Sequence, residues 1–214
     1  MTTTLPFIHR FEPAEAPGKP PILLLHGTGG DENDLMTLGG MIAPGSALLS
    51  PRGKVLEGGM PRFFRRLAEG VFDEADVRHR AHELADFVAA AREAYGLAAP
   101  VAVGFSNGAN IAAAVMMLRP EALSGAVLLR AMVPLTDAPA AAEGSLGLDG
   151  KPVLLLSGAM DPIVPADNAA RLAALLGASG AEVEQRVLPA GHGLSQADVN
   201  LARDWIGRLA PASA

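Results

Sequence analysis

The stretch that decides the fold is "AVGFSNGANI", residues 102–111, where an apolar run gives way to an alanine-rich one. It contains Gly104-Phe105-Ser106-Asn107-Gly108, a G-x-S-x-G pattern. Where a strand turns sharply into a helix, side chains at the two glycine positions would collide with the neighbouring strand and helix. We therefore expect Ser106 at such a turn, although glycines around a serine also occur in ordinary tight turns, and the rest of the chain must decide.

The rest of the chain alternates short apolar runs with helical patterns. The apolar runs lie at 21–27, 46–53, 100–106, 124–130, 151–158 and 181–189, and the helical patterns at 74–96, 107–120, 165–180 and 194–210. Most of the apolar runs are continuous, as in strands buried on both faces, whereas the last one alternates like an edge strand. Residues 5–11 are a candidate for the opposite edge. The pattern predicts a mostly parallel, doubly wound α/β sheet of about seven strands.

The domain organisation follows from length and composition. The chain has 214 residues, of which 50% are hydrophobic and 19% charged, so we expect one domain over 1–214 without a cap domain. Two segments, 51–73 and 131–150, fit no helix or strand pattern. Both follow predicted strands, so we expect irregular loops at the carboxyl edge of the sheet, where open α/β folds bind ligands.

Several kinds of partner are excluded by the composition. A net charge of −6 with dispersed lysines and arginines argues against a nucleic acid partner. No apolar segment reaches the ~18 residues of a membrane span, and residues 1–13 lack a signal-peptide pattern, so we expect no stable membrane insertion and a cytoplasmic location. Absence of cysteine excludes a thiol nucleophile, and the five histidines are scattered, so we expect neither a metal site nor a cofactor.

Two further polar residues follow predicted strands in an order that suits chemistry at Ser106. Asp161 comes after "VLLLSGAM", and His192 lies in "AGHGLS" after the last strand. A serine hydroxyl becomes nucleophilic when an imidazole accepts its proton and a carboxylate orients that imidazole, and in α/β folds these groups occur in the order Ser, Asp, His. Read alone, His192 is also compatible with a solvated turn and Asp161 with a helix cap. We assign the cap to Asp167 and a catalytic triad to Ser106, His192 and Asp161.

An acyl-transfer site also needs donors for the oxygen that becomes negative. The backbone N–H of Asn107 opens a helix directly after Ser106, and "HGTGG", residues 26–30, directly follows the first long apolar run. We assign the second donor to the N–H of Thr28. A phosphate cradle is the alternative use of such glycines, but neither glycine-rich nucleotide pattern is present. We interpret His26 as a structural hydrogen-bonding residue.

Four motifs together resemble the α/β-hydrolase superfamily, and specifically the small bacterial phospholipase/carboxylesterase family related to acyl-protein thioesterases. They are "HGTGGD" at 26–31, "GFSNGAN" at 104–110, "SGAMDPIVP" at 157–165 and "AGHGLS" at 190–195. The resemblance implies an uncapped α/β-hydrolase fold and ester hydrolysis through an acyl-enzyme. One departure is that the N-terminal hairpin of larger relatives is reduced to at most one strand.

The substrate side of the site is less defined by sequence. Phe63 and Phe64 are candidates for an acyl pocket beside arginines that would meet an anionic group, and Met132, Ile163 and Val164 are candidates for an apolar wall; core packing is the alternative for each. We expect a small-molecule ester of short to medium acyl chain as substrate. A thioesterase or lysophospholipase, and a non-catalytic ligand-binding relative, are the alternatives, and a homodimer is left open.

Overall fold

A seven-stranded sheet forms the centre of the protein. The computed structural model describes residues 5–15, 17–136 and 147–209. The strands of the sheet are β1 (His9–Glu12), β2 (Ile22–Leu25), β3 (Leu48–Pro51), β8 (Val101–Phe105), β9 (Gly125–Leu129), β10 (Pro152–Gly158) and β11 (Glu182–Leu188). Four shorter strands lie outside it, namely β4 (Val55–Glu57), β5 (Met60–Arg62), β6 (Arg66–Ala68) and β7 (Val71–Phe72). The order within the sheet is β1-β3-β2-β8-β9-β10-β11, and every pair is parallel except β1 with β3. This confirms the predicted α/β-hydrolase fold, including the edge positions of the first and last strands.

Helices cover both faces of the sheet. They are α1 (Met36–Ile42), α2 (Glu74–Tyr95), α3 (Asn107–Leu118), α4 (Ala166–Ala178) and α5 (Gln196–Arg208). The sequence predicted all of these except α1, whose seven residues include two glycines and are too few to show helical periodicity. Among the residues described, no helix is both long and apolar enough to cross a membrane.

The sheet separates two hydrophobic cores. Leu23 and Leu25 of β2 face the core formed with α2, α3 and α4, whereas Ile22 and Leu24 face the core formed with α1 and α5. All four side chains are at most 1% exposed, which explains why this strand reads as a continuous apolar run. Strands β8, β9 and β10 alternate between the two cores in the same way.

The segment 51–73 is more regular than the sequence predicted. It forms two antiparallel hairpins, β4 (Val55–Glu57) with β5 (Met60–Arg62) and β6 (Arg66–Ala68) with β7 (Val71–Phe72). Strands of two or three residues are too short to show an alternating pattern, so the expectation of an irregular loop was wrong. Of the second unassigned segment, 137–146 lies outside the described residues. Over the described ranges, loops and these hairpins lie at the carboxyl edge of the sheet, and no cap domain is present.

Two helix termini have clear capping features, and one predicted cap is absent. Gly96 ends α2 in the left-handed conformation, and Ser195 caps α5 in a reciprocal capping box with Asp198. The assignment of Asp167 as a cap was wrong. Pro165 occupies the N-cap of α4 without a side-chain hydrogen bond, and Asp167 lies inside the first turn.

Candidate active site

Ser106 is the single residue between β8 and α3. Its backbone has φ 52° and ψ −113°, a conformation that residues with a side chain rarely adopt. A Cβ atom on Gly104 would lie 2.5 Å from the carbonyl oxygen of Gly108, and one on Gly108 would overlap the backbone of Leu25 in β2. The two glycines therefore let strand and helix approach closely enough to form the sharp turn that the sequence predicted.

Three polar side chains from distant parts of the chain meet above this turn. His192 Nε2 lies 3.0 Å from Ser106 Oγ, and His192 Nδ1 lies 2.9 Å from Asp161 Oδ2. Ser106 follows β8, Asp161 follows β10 and His192 follows β11, so three parallel strands deliver them to one edge of the sheet. The imidazole is partly exposed, and the carboxylate side chain is fully buried.

The two oxygens of Asp161 have separate partners. Oδ1 accepts the backbone N–H groups of Ile163, at 2.8 Å, and Val164, at 3.1 Å, while Oδ2 faces His192. Burial alone would raise the pKa of Asp161, but these hydrogen bonds and the imidazole outweigh it and lower the pKa. An ionised carboxylate favours the His192 tautomer with a proton on Nδ1, and this tautomer leaves Nε2 free to accept the proton of Ser106.

Two backbone donors are available beside Ser106. Within the described chain, neither the N–H of Thr28 nor that of Asn107 is bonded to an acceptor. The Thr28 loop is held by its neighbours, because the Gly29 N–H donates to Pro61 O at 3.0 Å and the Gly30 N–H donates to Gly27 O at 3.2 Å. Free N–H groups next to a nucleophile can stabilise the negative oxygen of a tetrahedral intermediate.

A small cleft opens beside the Ser106 hydroxyl and contains most of the predicted substrate residues. Thr28, Met132, Ile163 and Val164 line it, together with Arg62, Arg66, Glu69, Gly70, Phe72, Asn110 and Arg130. Its free volume is about 30 Å³. A larger cavity of about 690 Å³ lies near the amino ends of β2 and β3, beside α1 and α5, and contains none of these residues.

Comparison with known proteins now places the chain. Residues 8–209 match the model of a protein family described as phospholipase/carboxylesterase. The chain belongs to the phospholipase/carboxylesterase family. Membership makes it a hydrolase of the esterase type and agrees with the resemblance seen in its four motifs.

Individual members of the phospholipase/carboxylesterase family are similar over almost the whole chain. A Bacillus subtilis (strain 168) protein named as the hydrolase MhqD is 44% identical over 186 residues, covering 86% of this chain and 90% of that protein. The crystal structure of a Bacillus cereus carboxylesterase is 40% identical with a TM-score of 0.90, covering 97% of this chain and 96% of the other. A Mesorhizobium loti carboxylesterase is 32% identical with a TM-score of 0.88, covering 97% of both chains.

Two residues that the sequence predicted for the acyl pocket lie outside the cleft of this phospholipase/carboxylesterase family member. Phe63 and Phe64 are only 3% and 0% exposed, belong to the core with α2 and α3, and do not line the cleft. Both residues lie in the short link between the two hairpins. Phe63 still supports the site, since its backbone N–H donates to the Asn107 side-chain oxygen at 2.7 Å.

The arginines that line the cleft are already paired with carboxylates. Arg62 and Arg66 both bond Glu57, and Arg66 also bonds Glu69 at 2.7 Å. Burial lowers the pKa of Arg62, and Glu57 opposes that effect. Because these carboxylates already balance the positive charges, neither arginine has a free charge for the anionic group that the sequence predicted.

His26 has the structural role that the sequence indicated. It is fully buried, with Nδ1 2.6 Å from Gly27 O and Nε2 accepting the N–H of Gly53 at 3.0 Å. This pattern requires a neutral ring protonated on Nδ1. Burial lowers the pKa of His26, outweighing the Gly27 carbonyl and the nearby acidic residues, and so favours the neutral form.

Sequence reasoning missed one buried group beside the site, the ion pair of Arg130 with Asp198. Both side chains are at most 1% exposed, and Arg130 Nη1 lies 2.7 Å from Asp198 Oδ1. The signal available in the sequence was weak: an arginine at the end of an apolar run, and an acidic residue three positions after a serine N-cap. Neither pattern identifies its partner.

Proposed function

We propose that this protein is a carboxylesterase that uses Ser106, His192 and Asp161 as a catalytic triad and forms an acyl-enzyme. One observation carries the proposal: the His192 imidazole bridges the Ser106 hydroxyl, at 3.0 Å, and the Asp161 carboxylate, at 2.9 Å. Hydrogen-bonded nucleophile, base and orienting carboxylate are the arrangement that acyl transfer by serine requires.

The reaction follows from these contacts. Ser106 Oγ bonds the ester carbonyl carbon while its proton passes to His192 Nε2, and the carbonyl oxygen becomes negative next to the N–H groups of Thr28 and Asn107. When the intermediate collapses, the carbon–oxygen bond to the alcohol breaks and His192 returns the proton to the leaving oxygen. Water then repeats these steps on the acyl-enzyme and releases the acid and Ser106. Asp161 stays ionised throughout and stabilises the imidazolium.

The lining and size of the cleft are evidence in favour of substrates with short to medium acyl chains. Its apolar side consists of Phe72, Met132, Ile163 and Val164, which suits an alkyl group. A free volume of about 30 Å³ next to Ser106 leaves room for a small group only, so longer chains would extend along the open edge. The similar Bacillus cereus and Mesorhizobium loti proteins are described as carboxylesterases, which supports oxygen esters for this chain.

A thioesterase or lysophospholipase would use the same three residues, and the family description includes phospholipases. The substrates separate these activities. We expect higher kcat/KM for p-nitrophenyl acetate and butyrate than for acyl-thioester or lysophospholipid substrates measured side by side. A higher kcat/KM for either of the latter would replace the carboxylesterase assignment.

The experiment that tests the triad is Ser106→Ala. We expect the variant to fold and to lose turnover of p-nitrophenyl acetate by about 10⁵-fold or more, because among the described residues only the Ser106 hydroxyl bonds His192. Ser124→Ala, a change at the residue before β9, is the matched control and should retain wild-type turnover. A Ser106→Ala rate within tenfold of wild type would show that another group is the nucleophile.

A further inference from the structure

Arg130 occupies an unusual position at the end of β9. Its backbone has φ 58°, and within the described chain only Ser106 shares a positive φ among the non-glycine residues. Its side chain is fully buried. A long cationic residue in a left-handed conformation costs free energy, and such positions persist where the surrounding contacts determine them.

The guanidinium contacts the histidine loop on both sides of His192. Nε donates to the carbonyl oxygen of Gly191 at 2.9 Å, and Nη2 donates to that of Gly193 at 3.2 Å. Glycines have wide conformational freedom, so a loop that carries its histidine between two of them needs an external constraint. Arg130 supplies hydrogen bonds to both glycines at once.

Asp198 fixes the guanidinium in turn. Its two oxygens accept from Arg130 Nη1 at 2.7 Å and Nη2 at 2.9 Å, a bidentate pair, and Oδ2 also accepts the backbone N–H and the hydroxyl of Ser195. Burial would raise the pKa of Asp198, but the bonds from Arg130 and Ser195 outweigh it and lower the pKa. The carboxylate therefore connects Arg130 to the start of α5.

The same end of β9 also holds the nucleophile. The Ser106 N–H donates to the carbonyl oxygen of Leu129 at 2.8 Å, and the Arg130 N–H donates to that of Leu156 at 2.9 Å. Leu129 therefore contacts Ser106, and its neighbour Arg130 contacts the loop of His192. A buried ion pair contributes little reliable stability because of its desolvation cost, so geometry is the better explanation for this one.

From these contacts we propose that Arg130, held by Asp198, is a positioning residue that sets the imidazole of His192 against Ser106. The inference rests on the proposed triad and adds a residue whose buried guanidinium bonds the loop of His192 and Asp198, and not Ser106 or the imidazole itself. A misplacement of about 1 Å at a reacting group can cost about 100-fold in rate. Only the planar fork of arginine provides donors in the directions of Gly191 O, Gly193 O and both Asp198 oxygens.

Arg130→Lys is the test, because it keeps the charge and removes the fork. We expect kcat for p-nitrophenyl acetate to fall about 10- to 100-fold with KM within about twofold of wild type. The rate at which a fluorophosphonate phosphonylates Ser106, with loss of fluoride, should fall in parallel. The downfield proton resonance of His192 Nδ1–H, hydrogen-bonded to Asp161, should broaden or disappear in the variant.

Val88→Ala in α2 controls for a general loss of stability, since Val88 is fully buried and remote from the cleft. When each protein is measured the same number of degrees below its own Tm, Val88→Ala should keep the wild-type kcat and the downfield His192 Nδ1–H resonance. Arg130→Lys overturns the proposal if its kcat stays within twofold of wild type or falls no more than that of Val88→Ala.

If Arg130→Lys does not fold, Asp198→Asn decides by the same criteria, because it preserves size and weakens the hold on Arg130. A wild-type protein that neither turns over esters nor reacts with the fluorophosphonate would refute the proposed function itself. Active wild type with unaffected Arg130 and Asp198 variants would refute only the positioning role.

Discussion

At the residue scale, the site depends on a few groups whose environments differ sharply. Ser106 is held in a strained backbone, Asp161 is buried and bonded through both oxygens, and His192 between them is partly exposed. The order of Ser106, Asp161 and His192 along the chain, together with the position of each after a predicted strand, predicted that they meet. Arg130 could not be found in this way, because its partner Asp198 lies 68 residues away and burial is not visible in the sequence.

The Asp161 carboxylate gives the first prediction at this scale. In Asp161→Asn the amide oxygen can still accept from the backbone N–H groups of Ile163 and Val164, but the NH₂ group would face His192 Nδ1 and select the wrong tautomer. We expect kcat for p-nitrophenyl acetate to fall about 10³- to 10⁴-fold with the fold intact. Asp167→Asn, at an exposed position in the first turn of α4, should be unchanged. Equal kcat values for the two variants would contradict the role of Asp161.

At the element scale, the ends of the parallel strands position the residues of the site. The ends of β2 and β8 lie side by side, so the Thr28 loop and the Ser106 turn emerge next to each other. Strong patterns predicted these strands and the longer helices correctly. The patterns failed for α1 and for the hairpins of 51–73, because a seven-residue helix covers only about two turns and a strand of two or three residues shows barely one alternation.

The close contact at Gly108 predicts an unequal response to the same substitution at two sites. Gly108→Ala would drive a methyl group into the backbone of Leu25, and we expect it to destabilise the protein by about 3 kcal/mol. Gly177→Ala in α4 meets nothing within 4 Å, and should stabilise by about 0.5 kcal/mol. Urea unfolding of both variants measures the difference, and similar stabilities would show that strand and helix are not in contact there.

His26 predicts a pH dependence of stability. Because burial lowers its pKa in the folded state below the 6.5 of the unfolded chain, the unfolded state binds more protons in that window. The stabilisation is complete above pH 6.5 and is lost as the pH falls toward the folded pKa. His26→Gln, which can still accept from Gly53, should lose less Tm than wild type between pH 7 and pH 5.

The control for this pH effect is His79→Gln, at an exposed position on α2. It should lose as much Tm as wild type over the same range. A His26→Gln variant with the wild-type pH dependence would contradict the assignment of a neutral, buried His26.

At the scale of the whole molecule, two hydrophobic cores share one sheet. Alternate residues of β2, β8, β9 and β10 belong to opposite faces, so neither core exists without the shared strands. Composition and the strand–helix alternation predicted this architecture because each signal is repeated many times along the chain. They could not predict the cleft, since its lining comes from five separate segments whose approach depends on the folded backbone.

The shared sheet predicts that the chain unfolds as one domain. Calorimetry should show a single transition whose calorimetric and van't Hoff enthalpies agree, near 150 kcal/mol at about 0.7 kcal/mol per residue. Two resolved transitions would mean that the two faces of the sheet are independently stable.

The most direct measurement of the central claim is where a fluorophosphonate bonds to the folded protein. Intact mass and peptide mapping should give one adduct per chain, on Ser106 within the peptide that contains 102–111, and none after denaturation before labelling. No adduct in the folded protein, or an adduct on any other residue, would contradict the account.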